Sequence, residues 1–374
     1  MQTTQHGTER EIRIISGDSH TIEPADLWQK YMSPRFRDRI TFIHEWNGLK
    51  GDFFYAPPVR PANVATFGCA GVDPEKFEEW GQGGYAVVRR GGWDPAERIK
   101  DMDADGVDAE VLFAGLTMVM YQHPDPELQR EAFRAYNDWV AEYQSYNPRR
   151  LIGIASISIW DVNEAIREME RAAKLGLRGV LISADPPPEL RYNNPIWEPF
   201  WAEAEKLGMP VCMHILTGTR SSGLTEDLIT SYMNLPRIIT TTIMEMIVAG
   251  VLERHPHLKI VSAENDIGWL ANAFRRLDQA YYRWHMRYPA ITMSPTAYWR
   301  RQVYCTFQDD VAGVRTRDLI GIDNLLWASD YPHFDSTWPR SQEFIQKNFG
   351  DIPEEEKEKF LRGNMIRLYN LDLN

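Results

Sequence analysis

Three cysteines among 374 residues, Cys69, Cys212 and Cys305, are too few and too far apart for a disulfide framework or a paired-cysteine zinc module. No apolar run approaches the roughly 18 residues that a membrane-spanning helix needs. Met1 to Glu11 is polar and has no apolar signal core, so a reducing, cytoplasmic setting is expected. There is no long Lys/Arg run, and 41 basic residues against 53 acidic ones leave a net charge of −12. That balance argues against nucleic acid or an anionic membrane as partner and leaves a small molecule. No G-x-S-x-G nucleophile elbow occurs. Gly81-Gln-Gly-Gly84 is followed by strand-like Val87-Val88-Arg89-Arg90 and not by a helix, so it is no dinucleotide fingerprint. Internal repeats and low-complexity tracts are absent; the acidic run over 354–359 reads as a solvated helix face.

Aromatic residues, by contrast, are plentiful at 12%, with 13 Trp. The chain also has a regular rhythm. Residues 11–17 read as a buried Ile-rich strand stopped by Gly17, and a helix-like piece follows over 24–31 with Pro24 in its first turn. Residues 33–94 carry five prolines and a glycine cluster without helical period, which reads as a long insertion of loops with a hairpin, of the kind that serves as a lid or binding feature. From Pro95 onward helices alternate with strands. The expected helices cover 95–105, 126–146, 162–174, 197–207, 233–253, 269–286 and 311–320, and the strands that follow them cover 109–113, 152–156, 179–182, 210–214, 258–262, 303–306 and 325–328. Helices near 339–349 and 354–368 close the chain. With the first strand this makes eight α/β units. Their strands are uninterrupted apolar runs suited to burial on both faces, so the expected fold is one (β/α)8 TIM barrel with a long insertion after the first strand.

Active sites in such barrels lie at the C-terminal strand ends, and chemistry-bearing residues collect there. The first strand leads into Asp18-Ser19-His20, whose i, i+2 spacing points both side chains the same way. The fifth ends at His214, the sixth runs into Glu264-Asn265-Asp266, and the eighth into Asp330-Tyr331-Pro332-His333. Singly, each has a plainer role: His214 as a hydrogen-bonded structural residue, Asp330 as a turn acid, Asp266 as a cap for the helix near Trp269. Together, on four separate strand ends, they point to a metal site. Glu23, three residues past His20, is a further candidate ligand. His255 and His257 precede the sixth strand at the opposite face and read as structural. His123 and Arg220 lie in loops after strands and read as solvated, with contact to an anionic substrate as the alternative.

This order of motifs resembles the amidohydrolase superfamily, and within it the branch containing aminocarboxymuconate-semialdehyde decarboxylase and γ-resorcylate decarboxylase. The Leu252–Val261 run (LERHPHLKIV) and Arg362–Tyr369 (RGNMIRLY) add to the likeness, which spans nearly the whole chain outside residues 33–94. The resemblance implies that Asp18, His20, His214 and Asp330 bind metal, with Glu264 standing where the relatives usually carry His. Asp18 likewise replaces the usual first His or Glu, and the fourth strand, ending in Ile182-Ser183-Ala184-Asp185, offers no counterpart of the metal-bridging Lys. A carboxylate-rich shell suits Zn, Mn or Fe, as one or two ions. The resemblance also implies that Asp330 is the general acid/base, that His214 can polarise a carbonyl if it is not a ligand, and that His333 hydrogen-bonds substrate or Asp330.

The expected activity is therefore metal-dependent hydrolysis or non-oxidative decarboxylation of a bulky apolar or aromatic, carboxylate-bearing small molecule. The alternatives are a di-iron oxygenase on the same barrel, which the extra carboxylates favour, and a non-catalytic binding barrel. Trp28, Trp46, Trp80, Trp93, Trp269 and Trp338 fall in segments near the barrel mouth, which suggests an aromatic-walled pocket; the other Trp are left for helix packing and a homo-oligomeric, dimeric interface.

Overall fold

A computed structural model describes residues 13–218 and 227–373. Eleven strands are formed: β1 (Ile15–His20), β2 (Thr41–Trp46), β3 (Leu49–Tyr55), β4 (Ala62–Asn63), β5 (Ala109–Phe113), β6 (Leu151–Ser156), β7 (Gly179–Ile182), β8 (Val211–His214), β9 (Ile260–Ala263), β10 (Val303–Phe307) and β11 (Leu325–Trp327). Eight of them make one parallel sheet in the order β1-β5-β6-β7-β8-β9-β10-β11, with helices between successive members. Every residue of these eight strands is buried, as strands covered by helices outside and packed side chains inside must be.

The first and last strands meet through hydrogen bonds just beyond β11. Asp330 N donates to Asp18 O at 3.0 Å, His20 N to Tyr331 O at 2.7 Å, and Ser329 N to Ser16 Oγ at 2.8 Å. The sheet is thus a nearly closed (β/α)8 barrel whose seam joins two segments that carry candidate ligands. Among the described residues no helix is long and apolar enough to cross a membrane.

Local chemistry fixes several boundaries. Asp94, Asp125 and Asp161 each accept hydrogen bonds from first-turn amides of the helices that follow, and Pro95 and Pro126 sit where a missing N–H costs nothing. The helix expected to begin at residue 233 begins at Leu228, because Asp227 caps it; Pro236 then lies inside the helix. It ends at Val248, and a separate turn, Val251–Arg254, follows Gly250. Gly17 does not stop the first strand: β1 runs on through Asp18-Ser19-His20, with a register shift against β5 between Ser16 and Ser19.

Residues 33–94 hold an antiparallel β2-β3-β4 sheet and short helical turns. Asn47 and Gly48, both at positive φ, form the two-residue β2-β3 turn. The segment packs on the loops that follow β1, β5 and β11: Tyr85 Oη donates to Glu23 O at 2.6 Å, His123 Nε2 meets Pro57 O at 3.0 Å, and Ala70 N donates to Pro332 O at 2.8 Å.

Candidate metal centre and active site

Asp18 and His20, two residues apart on β1, direct their side chains to one point at the C-terminal end of the barrel. His20 Nε2 lies 3.6 Å from Asp18 Oδ1, 3.7 Å from Glu264 Oε2 and 3.3 Å from Asp330 Oδ1. His214 Nε2, from the end of β8, lies 3.6 Å from Asp18 Oδ1 and 3.1 Å from Glu264 Oε2. The strand ends named from the sequence therefore converge. Glu264 and Asp330 reach the point with φ of 51° and 55°, a left-handed conformation that costs a non-glycine residue of order 1–3 kcal/mol and that surrounding structure must enforce.

The supporting contacts leave one atom of each group free toward the centre. His20 Nδ1 meets Ala114 O at 2.8 Å and His214 Nδ1 meets Ile215 O at 2.9 Å, so each ring donates from Nδ1 and turns Nε2 inward. Gly115 permits the first of these, since a Cβ there would collide with the Thr21 carbonyl oxygen. Thr306, at the end of β10, donates to Asp18 Oδ2 at 2.9 Å and accepts Glu264 N–H at 2.7 Å. Asp18 Oδ1, His20 Nε2, His214 Nε2, Glu264 Oε2 and both Asp330 carboxylate oxygens remain buried without a hydrogen-bond partner.

Unpartnered buried polar atoms are costly, and three carboxylates packed together repel. A divalent cation resolves both problems. Ligands about 2.0–2.2 Å from one ion stand about 3.0–3.5 Å apart in tetrahedral or octahedral arrangements, and the separations here cluster around that range. The residues fit a divalent metal, which Asp18, His20, His214, Glu264 and Asp330 can hold. Two overlapping donor groups share His20: Asp18/His20/His214 and His20/Glu264/Asp330/His333.

Charge is balanced internally in the metal-free cluster. Burial disfavours the charged imidazole of His20, yet Asp330 and Glu264 outweigh it and raise its pKa to about 9. His214 is pushed up in the same way by Asp18 and Glu264 against burial. Burial works to raise Asp330, but His333 and His20 hold it well below the usual carboxylate range.

His333 stacks on His20 with centroids 4.0 Å apart and places Nδ1 3.2 Å from Asp330 Oδ2. It thus joins the cluster through Asp330. Glu23 does not join it. Its buried carboxylate accepts Leu116 N–H at 2.7 Å and Thr117 N–H at 3.0 Å, satisfying the start of the helical turn Leu116–Gln122 instead. His123 is buried, accepting Asp125 N–H at 3.1 Å and meeting Pro57, so it neither is solvated nor reaches the centre. His255 pairs with Glu198 at 2.9 Å and is structural. Arg220 lies outside the described residues.

A cavity of about 830 Å³ opens beside Asp18 and Glu264. Its walls come from one face of helix Leu228–Val248 and one face of helix Leu270–Trp284, with Leu235, Trp269, Leu277 and Phe307 among the apolar contacts. Of the six Trp expected near the mouth, only Trp269 lines it. Trp28 is buried against Phe54, Trp46 packs beside Tyr55, Trp93 meets Tyr85 and Trp338 meets Tyr331, so most of these rings fasten the insertion and the last loop to the barrel. Sequence reasoning missed three residues that shape the site. Thr306 carried the signal of a hydroxyl at the seventh strand end. Asp335, on the cavity wall in the Asp330-Tyr-Pro-His-Phe-Asp run, is pushed up to about 7 by burial and by Asp330 and Glu264. Arg98 carried no motif: it is buried, pairs with Glu110, stacks on Tyr331 and donates to His20 O at 2.7 Å.

Comparison with known proteins adds to this geometry. The family model for amidohydrolase (Amidohydro_2) matches residues 33–371. γ-Resorcylate decarboxylase of Rhizobium radiobacter is 27% identical over 293 residues, covering 74% of this chain and 86% of the relative. The crystal structure of an amidohydrolase from Mycobacterium avium subsp. paratuberculosis K-10 superposes with a TM-score of 0.76 at 22% identity, covering 96% of this chain and 99% of that one. A mutant 5-carboxyvanillate decarboxylase from Novosphingobium aromaticivorans, with bound manganese and 3-methoxy-4-hydroxy-5-nitrobenzoic acid, gives 0.70 at 17% identity over 98% and 99% of the two chains.

Proposed function

This chain belongs to the amidohydrolase family, and from that membership and its buried cluster we propose that it is a metal-dependent, non-oxidative decarboxylase of an aromatic hydroxy-carboxylate. The observation that carries the proposal is the convergence of five unpartnered carboxylate and imidazole groups, two of which, Asp18 and Glu264, line a largely apolar cavity. Asp18, His20, His214, Glu264 and Asp330 are the proposed ligands. Manganese, the ion in the Novosphingobium decarboxylase, suits their oxygen-rich set. When bound, a divalent cation supplies a Lewis acid for the substrate carboxylate and a neighbouring hydroxyl.

The protein's own groups account for the rest. Leu235, Trp269 and Phe307 receive the ring and exclude water. Asp330, ionised at rest, relays a proton that it receives from His333, whose Nδ1 lies 3.2 Å from Asp330 Oδ2. That proton is delivered to the ring carbon bearing the carboxylate. The C–C bond then breaks, its electron pair returns to the ring and carbon dioxide leaves. One proton is consumed and no oxidant is needed. The γ-resorcylate decarboxylase likeness supports this reading over hydrolysis.

Incubating manganese-loaded protein with a panel of ortho-hydroxybenzoates and measuring carbon dioxide release tests it. Metal-dependent release is expected. The two donor groups sharing His20 favour, as a second reading, a pair of ions that activates oxygen; oxygen uptake in the same vessel without carbon dioxide would support it instead.

A further inference from the structure

Helix Pro95–Asp105 buries charge where a barrel helix ordinarily buries apolar side chains. Arg98, Asp101 and Asp105 stand at i, i+3 and i+7, share one face and are all buried. That face meets the segment that follows β11 and carries Asp330. The Arg98 guanidinium lies 4.4 Å from the centre of the Tyr331 ring. Asp101 Oδ2 accepts the Tyr331 hydroxyl at 2.5 Å, and Asp101 O accepts Trp338 Nε1–H at 3.2 Å. Asp105 accepts Ser341 N–H at 2.9 Å and the Ser341 hydroxyl at 2.5 Å. Apolar side chains of similar size in such places often serve stability equally well, because burying charge costs desolvation. What directional bonds add is a fixed place for the segment they hold.

The residue most in need of a fixed place is Asp330. Its φ of 55° has to be enforced by its surroundings, and Tyr331 is the next residue along the chain. Tyr331 O accepts His20 N–H at 2.7 Å, so one buried side chain anchors the backbone beside two proposed ligands. The insertion completes the anchor. Arg89, near its end, donates to both carboxylate oxygens of Asp101 and stacks on Trp338 at 4.5 Å. Two residues on, Gly91 lies so close that a Cβ there would stand 2.7 Å from Asp101 Oδ2 and 3.1 Å from Tyr331 Oη. Arg89, Asp101 and Tyr331 all stand outside the wall of the large cavity.

We propose that Arg89, Asp101 and Tyr331 form a positioning chain for Asp330, through which the insertion of residues 33–94 sets the geometry and affinity of the metal centre. The inference rests on the reading of Asp330 as a metal ligand. Arg89 compensates the buried Asp101 carboxylate, Asp101 holds the Tyr331 hydroxyl, and Tyr331 holds the backbone that presents Asp330. Removing either end of the chain loosens the same ligand, so the two losses should not add.

The test measures manganese affinity and the electron paramagnetic resonance spectrum of the bound ion, with urea unfolding of the metal-free protein as the check on the fold. Tyr331→Phe removes one hydroxyl and keeps the ring. Affinity is expected to fall by about tenfold, the low end for contacts that orient a ligand from behind. Arg89→Met, at a half-exposed position, should weaken binding by about the same factor, and Arg89→Lys should restore part of it. The double variant R89M/Y331F should bind no more weakly than Y331F, with the same altered zero-field splitting. Arg171→Met breaks ion pairs on the outer helix Val162–Lys174 and should leave both readouts at the parent's values. Parent affinity in Y331F and R89M, losses that add in the double variant, or an equal loss in R171M would overturn the positioning chain. Loss of binding in Asp330→Ala would then keep the metal-centred reading intact. Should Y331F not fold, R89M against R89K decides alone. Manganese affinity that Asp330→Ala leaves unchanged would overturn both.

Discussion

Thr306 donates its hydroxyl hydrogen to Asp18 Oδ2 at 2.9 Å, and the Thr306 oxygen accepts the amide hydrogen of Glu264. One side chain at the end of β10 thus orients proposed ligands at two other strand ends. Thr306→Val keeps the shape and removes both bonds. Since loss of such outer contacts typically costs 10–100-fold in metal affinity, manganese binding is expected to weaken by about that factor. Competition against a chromophoric chelator measures it, and unchanged affinity would show that Asp18 and Glu264 are held by other means.

Asp330 combines two proposed roles, as ligand and as the group that passes the proton. Asp330→Asn retains an oxygen donor but cannot carry a proton on a carboxylate. Turnover is expected to fall by about 10²–10⁴-fold, the usual contribution of a positioned acid or base. Carbon dioxide release by the metal-loaded variant checks it, and retained turnover would place the proton donor elsewhere.

Metal binding should release protons. Without metal, His20 keeps its proton up to about pH 9, because Asp330 and Glu264 outweigh burial, and His214 is raised likewise. A cation must displace these protons, so apparent affinity rises with pH through the neutral range and up to about 9. Calorimetry at pH 7 in two buffers of different ionisation enthalpy should give about one to two protons released per ion. A pH-independent affinity would contradict the assignment of His20 and His214 as ligands.

The barrel seam depends on a buried charge. Arg98 is fully buried, pairs with Glu110 and donates to the carbonyl of His20. Arg98→Met leaves Glu110 uncompensated and should lower stability by about 3–5 kcal/mol. Arg98→Met combined with Glu110→Leu should recover most of that loss, as judged by urea unfolding. If the single variant unfolds at the parent's midpoint, the pair is not what holds the seam.

The parallel strands were legible in sequence because strands buried on both faces are short apolar runs, and those starting at Ala109 and Gly179 have their expected limits. The convergence of Asp18, His20, His214, Glu264 and Asp330 was legible because a barrel directs its strand ends to one mouth. Glu23 was misplaced: adjacency in sequence to His20 says nothing of the amides of Leu116 and Thr117, which arrive from after β5 and claim its carboxylate. The Trp residues were over-assigned to the pocket for a related reason, since proximity to the mouth does not distinguish a ring facing substrate from one, such as Trp28, facing the core. Arg98 was invisible because its partners, Glu110, His20 and Tyr331, lie up to 233 positions away.

The central claim is tested most directly by anaerobic turnover in deuterium oxide with a carboxyl-labelled ortho-hydroxybenzoate that the manganese-loaded protein accepts. The account predicts one labelled carbon dioxide and one deuterium at the vacated ring carbon per turnover, with no turnover after chelation. Turnover that requires oxygen, or a product that retains the labelled carboxylate, would contradict it.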